Sequence, residues 1–272
     1  MGRGGSPSCQ PSESLSGGLV ESQVSEIGAN MKTAVVFKWC KDPQDARVSA
    51  DGTVSWPGVK LSPTDDDPAA MDVARGVSAE EDIVGVTIGD GKPEWAAARG
   101  AASTVVVEDA FGGPDGTAAA QAIAAAVKSA GDVDVVAIGD SDWDRGVVSA
   151  LVGALGWKAY ANVTAAQAEG DNVRLTIKTP AGNRIVAAKP PMVVAAQALS
   201  QEANVPGMKQ TLAARKKPVA KESAASLGVA AGIGTSAGTR LPEGDAAIIF
   251  DGSDPSNAVA QLMDALRGEG VL

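Results

Sequence analysis

Four segments of this chain are apolar at consecutive rather than alternate positions: Ala34-Val35-Val36-Phe37, Ile83 to Ile88, Thr104 to Val107 and Val133 to Ile138. A strand covered on one face alternates, so unbroken β-branched runs predict parallel strands buried on both faces. Alanine-rich stretches with helix-start chemistry lie between the runs. Asp67 reads as an N-cap with Pro68 behind it, Pro93 opens PEWAAARGA, and Thr117 precedes AAAQAIAAAVKSAG. Strand alternating with helix predicts an α/β fold, a doubly wound and mostly parallel sheet with right-handed crossovers. Such sheets bind ligands outside the carboxyl ends of their strands, where the strand order reverses.

After Gly156 the texture changes. Lys158 to Ala168, Asn172 to Lys178 and Arg184 to Ala188 read as an added antiparallel meander, with Pro180-Ala181-Gly182-Asn183 turning between the last two. Pro190 to Ala195 reads as one more buried strand. Ser223 to Arg240 is Gly, Ala and Ser without packing periodicity, which is linker composition. Ala246 to Phe250 and Asn257 to Leu266 then predict a closing strand and amphipathic helix, a C-terminal arm too small to hold its own core. Residues 1–30 are rich in Gly, Ser and Pro, and carry no run long enough for a signal peptide or membrane span. They read as a disordered leader, or as sequence upstream of a start at Met31. The expected organisation is a leader over 1–30, a nucleotide-binding body over 31–220, and a linker and strand-helix arm over 221–272.

Composition narrows the chemistry. The 272 residues include no histidine, which excludes Ser-His-Asp and Cys-His catalysis and any histidine-ligated metal. The two cysteines, Cys9 and Cys40, build no disulfide framework, so the expected compartment is reducing and cytoplasmic. With 33 acidic and 23 basic side chains the formal charge is −10, which argues against nucleic acid and anionic membranes as partners. Small ligands and protein partners remain.

Three loops are expected on one rim of the sheet. Phe37-Lys38-Trp39-Cys40 ends the first strand, Gly89-Asp90-Gly91-Lys92 follows the second, and Asp140-Ser141-Asp142-Trp143-Asp144 follows the fourth. The acidic loop begins like a calcium loop, but Arg145 and Leu151 stand where an EF-hand requires glycine and a bidentate glutamate. It reads either as a set of ribose-hydroxyl acceptors beside helix-end amides or as solvated caps on the helix starting near Gly146. Gly89-Asp90-Gly91-Lys92 lacks the Walker spacing. Gly234-Thr235-Ser236-Ala237-Gly238 matches a nucleophile elbow in letters only, because the serine has no base. The basic run Arg215-Lys216-Lys217 reads as a solvated helix end or as a steering patch for an acidic partner, with Met208 beside it as an apolar contact.

Taken in order, Val35-Val36-Phe37-Lys38-Trp39-Cys40-Lys41-Asp42, Gly139-Asp140-Ser141-Asp142-Trp143-Asp144, and Val205-Pro206-Gly207-Met208-Lys209 leading into Ala214 to Val219 resemble the beta subunit of electron transfer flavoprotein, particularly its FixA type. The resemblance implies an electron carrier rather than a self-sufficient catalyst. It would pair with an alpha subunit that holds most of the FAD, and bind AMP or a second FAD itself. Electrons would enter from an acyl-CoA or other dehydrogenase and leave to a quinone reductase or another acceptor. Carried over position by position, the resemblance places the cofactor on Lys38, Trp39, Cys40, Thr87, Ile88, Gly89, Gly139, Asp140, Asp144 and Gly146. It places partner contacts on Met208, Arg215, Lys216 and Lys217, and the alpha subunit against the C-terminal arm. The family's longer loop, close to D-G-D-T-G-Q-V-G, is reduced here to Asp144-Arg145-Gly146-Val147-Val148-Ser149, so the threonine and glutamine that hold phosphate and ribose are missing and Arg145 is the residue left to pair with phosphate. The aromatic residue that some members set against the flavin is also absent, with Pro43 nearby. The alternative is a non-redox adenine-nucleotide module, a sensor or scaffold, on the same fold.

Overall fold

The computed structural model describes residues 1, 31–110, 116–144, 146–199, 205–230, 238–242, 244 and 247–272. All but the first residue of the leader expected over 1–30, the elbow-like Gly234 to Ala237 and Arg145 lie outside the described residues. The chain divides into two compact units, residues 1–42 with 60–235, and residues 43–59 with 236–272.

The first unit is built on a nine-stranded sheet. Its strands are β1 (Thr33–Val36), β2 (Ile83–Ile88), β3 (Ser103–Val107), β4 (Val135–Gly139), β5 (Lys158–Glu169), β6 (Asn172–Thr179), β7 (Gly182–Ala188), β8 (Met192–Ala196) and β9 (Val219–Glu222), in the spatial order β7-β6-β5-β8-β4-β1-β2-β3-β9. All pairings from β5 through β9 are parallel, while β5-β6 and β6-β7 are antiparallel. The fold is therefore α/β, with the antiparallel meander attached at one end of the parallel sheet. The continuous runs behave as expected: β1, β2 and β4 are buried at every position.

Helix α1 (Asp67–Val77) and the short α2 (Glu94–Ala98) lie against a core that includes Val35, Phe37, Met71, Val77, Val135 and Val194. Helices α3 (Gly116–Ser129) and α4 (Val147–Leu155) lie against a core that includes Ala34, Val36, Val86, Ile123, Ile138 and Leu151. Neighbouring β1 residues thus belong to different cores, which is why the strand shows no alternation. Seven residues of α3 are buried, five of them alanines, so small side chains cover that sheet face.

Several boundaries differ from the pattern reading. The N-cap of α1 is Asp66, while Asp67 is the first helical residue and fully buried. Thr117 lies inside α3, which already includes Gly116. Strand β9, paired in parallel with β3, had no signal, because three of its four residues are exposed and its Lys-Glu end is polar. Within the stretch read as linker, Ala224, Leu227 and Val229 pack against the second core.

The second unit contains a two-residue antiparallel ladder, Arg47–Val48 with Val54–Ser55, and helix α6 (Pro255–Gly268). The Val54 N–H donates to Thr239 Oγ1 at 3.0 Å. The Asp254 carboxylate caps α6, accepting from the Ser256 and Asn257 N–H groups. The strand expected over 246–250 is not formed across its described residues 247–250, which have no ladder. Ile248 and Ile249 there are exposed. A strand needs a neighbour to satisfy its backbone, and apolar composition alone supplies none.

Candidate functional site

Chain order departs in opposite directions from β1: β2, β3 and β9 lie on one side, β4 and β8 on the other. The switch point is the crevice between the carboxyl ends of β1 and β4. All three loops singled out in the sequence follow parallel strands of this sheet, so they share that rim.

Lys38, just beyond β1, is 4% exposed. Its Nζ lies 2.7 Å from Asp144 Oδ2 and 3.5 Å from the Gly139 carbonyl oxygen, which accepts from it, so one side chain spans the crevice to the β4 loop. The Lys38 N–H donates to Asp67 Oδ2 at 3.0 Å, and the Thr64 N–H donates to the same oxygen at 3.0 Å. Asp67 therefore ties the start of α1 to the end of β1. Burial pushes its carboxyl up to about 7, against the pull of the Lys38 charge and the two N–H groups. Asp144 is also pushed up, first by burial and with Lys38 opposing.

Gly139 is where α1 makes its closest approach. A Cβ there would lie 2.8 Å from the Asp66 carbonyl carbon and the Asp67 nitrogen. Asp140 follows, its N–H bonded to the Ala196 carbonyl, and the Ser141 hydroxyl donates to Asp65 Oδ1 at 2.5 Å while accepting from the Trp143 N–H. Asp66 Oδ1 accepts from the Ala198 N–H at 2.7 Å. Gly146, with φ +93°, takes the left-handed conformation at the N-cap of α4.

The second loop joins from the other side of β1. Lys92 Nζ sits 5.2 Å from the centre of the Trp39 ring, and Trp95 stacks on Phe37 at 5.0 Å while the Arg99 guanidinium lies 4.2 Å from the centre of the Trp95 ring. Thr87 is fully buried beneath Gly91, where any side chain would collide with the threonine hydroxyl. Ile88 is buried in the second core, and the Gly89 N–H bonds to the Val107 carbonyl. Cys40 pairs with Ser62 in a two-residue antiparallel ladder, and burial pushes its thiol up to about 12.

The structure thus brings Lys38, Trp39, Cys40, Thr87, Ile88, Gly89, Gly139, Asp140, Asp144 and Gly146 to one rim. It adds Asp65, Asp66 and Asp67, which the sequence reading passed over as sites, and gives contacts to Ser141 and Lys92, which that reading had only as members of their loops. Asp67 was visible only as a helix-start signal, because nothing local says that its carboxylate faces Lys38.

Buried polar atoms at this rim bear on what it could hold. Trp39 Nε1, Thr87 Oγ1, Asp67 Oδ1 and Asp144 Oδ1 are buried without a hydrogen-bond partner. Buried polar groups are ordinarily satisfied, so such a concentration suits a hydroxyl-bearing ligand such as a ribose. The phosphate of a nucleotide fits less directly, since Lys38 is already paired with Asp144. Among the described residues no group of His, Cys, Asp or Glu has the arrangement of a metal site. A groove between α3 and residues 227–230, lined by Gln121, Lys128 and alanines, belongs to the second helical layer and not to this rim.

The expected partner residues lie elsewhere. Met208 opens α5 (Met208–Ala214) and is 82% exposed, with Leu212 one turn on and also exposed. Arg215 and Lys216 are exposed. Lys217 instead donates its ammonium hydrogens to the Ala97 carbonyl in α2, at 3.0 Å, and to the Ala101 carbonyl beyond the helix end, at 2.9 Å.

A family model for the electron transfer flavoprotein domain matches residues 66–227. The chain is also similar to a protein described as electron transfer flavoprotein subunit beta from Syntrophomonas wolfei subsp. wolfei (strain DSM 2245B / Goettingen). The two are 29% identical over 209 residues, covering 72% of this chain and 81% of that relative.

Proposed function

The chain belongs to the electron transfer flavoprotein family as a beta-type protein, and from that premise we propose that it holds an adenine nucleotide at the strand-end rim and completes a flavin site with an alpha subunit. The observation that carries the reading is the Lys38–Asp144 bridge, which joins two strand-end loops across the switch point in a chain of this family.

In this reading the Trp39 indole N–H and the Asp140 carboxylate meet ribose hydroxyls, while Thr87, fully buried beneath Gly91, supports the loop under the ligand. The backbone of Cys40, Ile88, Gly89, Gly139 and Gly146 lets the ligand approach closely. FAD, held mainly by the alpha subunit, supplies the redox chemistry, and this chain orients it and keeps water away. The C-terminal segment, residues 221–272, docks on alpha. Met208, with Arg215 and Lys216, meets a dehydrogenase that donates electrons, and a quinone reductase or another acceptor takes them. The protein works in the cytoplasm. Among the described residues no helix is long and apolar enough to cross a membrane.

Coexpression with an alpha-type subunit tests this. A one-to-one yellow complex containing FAD is expected, together with poor flavin binding by the chain alone. A tightly flavinated homodimer of this chain would overturn the reading. Tight AMP binding without an alpha partner and without a flavin spectrum would favour the non-redox module, a reading supported by the shortened acidic loop.

A further inference from the structure

We propose that the Asp144 carboxylate is an internal competitor for the phosphate of the bound nucleotide: it holds the Lys38 ammonium, and an anionic ligand group reaches Lys38 only by displacing it. The inference rests on the nucleotide reading above and concerns how the rim ranks phosphorylated against unphosphorylated ligands.

Lys38 is almost fully buried, and its Nζ meets Asp144 Oδ2 at 2.7 Å. A buried ammonium needs a counter-charge, and a carboxylate and a phosphate serve that need equally well. The lysine is the fixed partner. Its backbone is anchored by Asp67 and lies two residues past the end of β1, beyond Phe37, whose N–H still bonds to the Val86 carbonyl.

Asp144 is held mainly by Lys38 and its own backbone. Its Oδ1 is buried without a partner from another residue, and Asp65 adds repulsion. It ends a single 3₁₀ turn, Asp142–Asp144, outside the sheet ladder and two residues before the left-handed Gly146. A carboxylate so poorly satisfied leaves more readily than the lysine does. Lys92, another cation of the rim among the described residues, lies over the Trp39 ring.

Calorimetry on the full chain with AMP and with adenosine tests the proposal. Removing the competing charge in Asp144→Asn tightens AMP about tenfold, while adenosine affinity stays within about twofold. The double variant Lys38→Gln/Asp144→Asn, neutral on both sides, loses the preference for AMP over adenosine. If Asp144→Asn does not fold, Asp144→Ser is measured in its place against the same ratio. An AMP affinity that is unchanged or weaker in a folded Asp144 variant, with adenosine still bound, overturns the competitor role and leaves the nucleotide reading intact. If the wild type and both variants bind neither ligand, the nucleotide reading falls and the competitor role with it.

Discussion

Replacing Asp67 with Asn should remove one pH-dependent weakness of the fold. Asp67 is fully buried, and burial lifts its carboxyl from an ordinary 3.8 to about 7. At about 1.4 kcal/mol per pH unit, that displacement corresponds to roughly 4 kcal/mol between the protonated and ionised folded forms. Below about pH 4 both folded and unfolded chains carry the proton, and Asp67 costs nothing. Between about pH 4 and 7 the folded chain retains a proton that the unfolded chain has released, so stability falls as pH rises. Above about pH 7 the cost is constant. Asparagine keeps an acceptor for the Lys38 and Thr64 N–H groups and places an NH₂ where Asp67 Oδ1 now lacks a partner, which mimics the protonated acid. Urea unfolding of wild type and Asp67→Asn across about pH 4 to 8 reads the effect. The difference in stability should move in favour of Asn by up to roughly 4 kcal/mol over that window. Asp66 and Asp144, also raised by burial, tilt both curves alike and largely cancel in the difference. A difference that stays flat from about pH 4 to 8 would show Asp67 ionised throughout, and the burial argument would be wrong.

Other outcomes follow from the same contacts. With its thiol pushed up to about 12, Cys40 should resist iodoacetamide in the native protein near about pH 8 and react once urea unfolds it; a native adduct on the Cys40 peptide in mass spectrometry would refute this. Lys217→Ala should cost about 1–3 kcal/mol because it strips the Ala97 and Ala101 carbonyls of a charged donor. Lys216→Ala should stay within about 0.5 kcal/mol in the same denaturation assay, and equal losses would remove the distinction drawn between the two lysines. Gly91→Ala drives a methyl into Thr87 and should cost about 1–3 kcal/mol, part of which Thr87→Ala in the same chain restores; an unaffected midpoint would mean the loop has room to spare.

The family resemblance and the main architecture were readable because both depend on patterns confined to short windows. The run Ile83 to Ile88 maps onto β2 residue for residue, and the meander was legible from the turn expected over Pro180 to Asn183, of which Gly182 and Asn183 already pair in β7. What stayed hidden was of two kinds. Strand β9 and the two-residue ladders are too short or too polar to leave a periodic trace. The run 246–250 had the trace, but its described part joins no ladder, and hydrogen-bonded partners are not written in composition.

From the sequence alone came the parallel strands, the absence of imidazole chemistry and the three loops expected on one rim. Each is a local property of residue type and spacing. The tertiary structure decided which side chains on that rim face one another. Lys38 and Asp144 are 106 positions apart and meet at 2.7 Å only because β1 and β4 are neighbours in the sheet. Asp67 becomes a buried acid only because α1 starts against Gly139. Charge pairing and desolvation depend on distance and dielectric in the folded chain, and neither quantity exists until the strands have found their order.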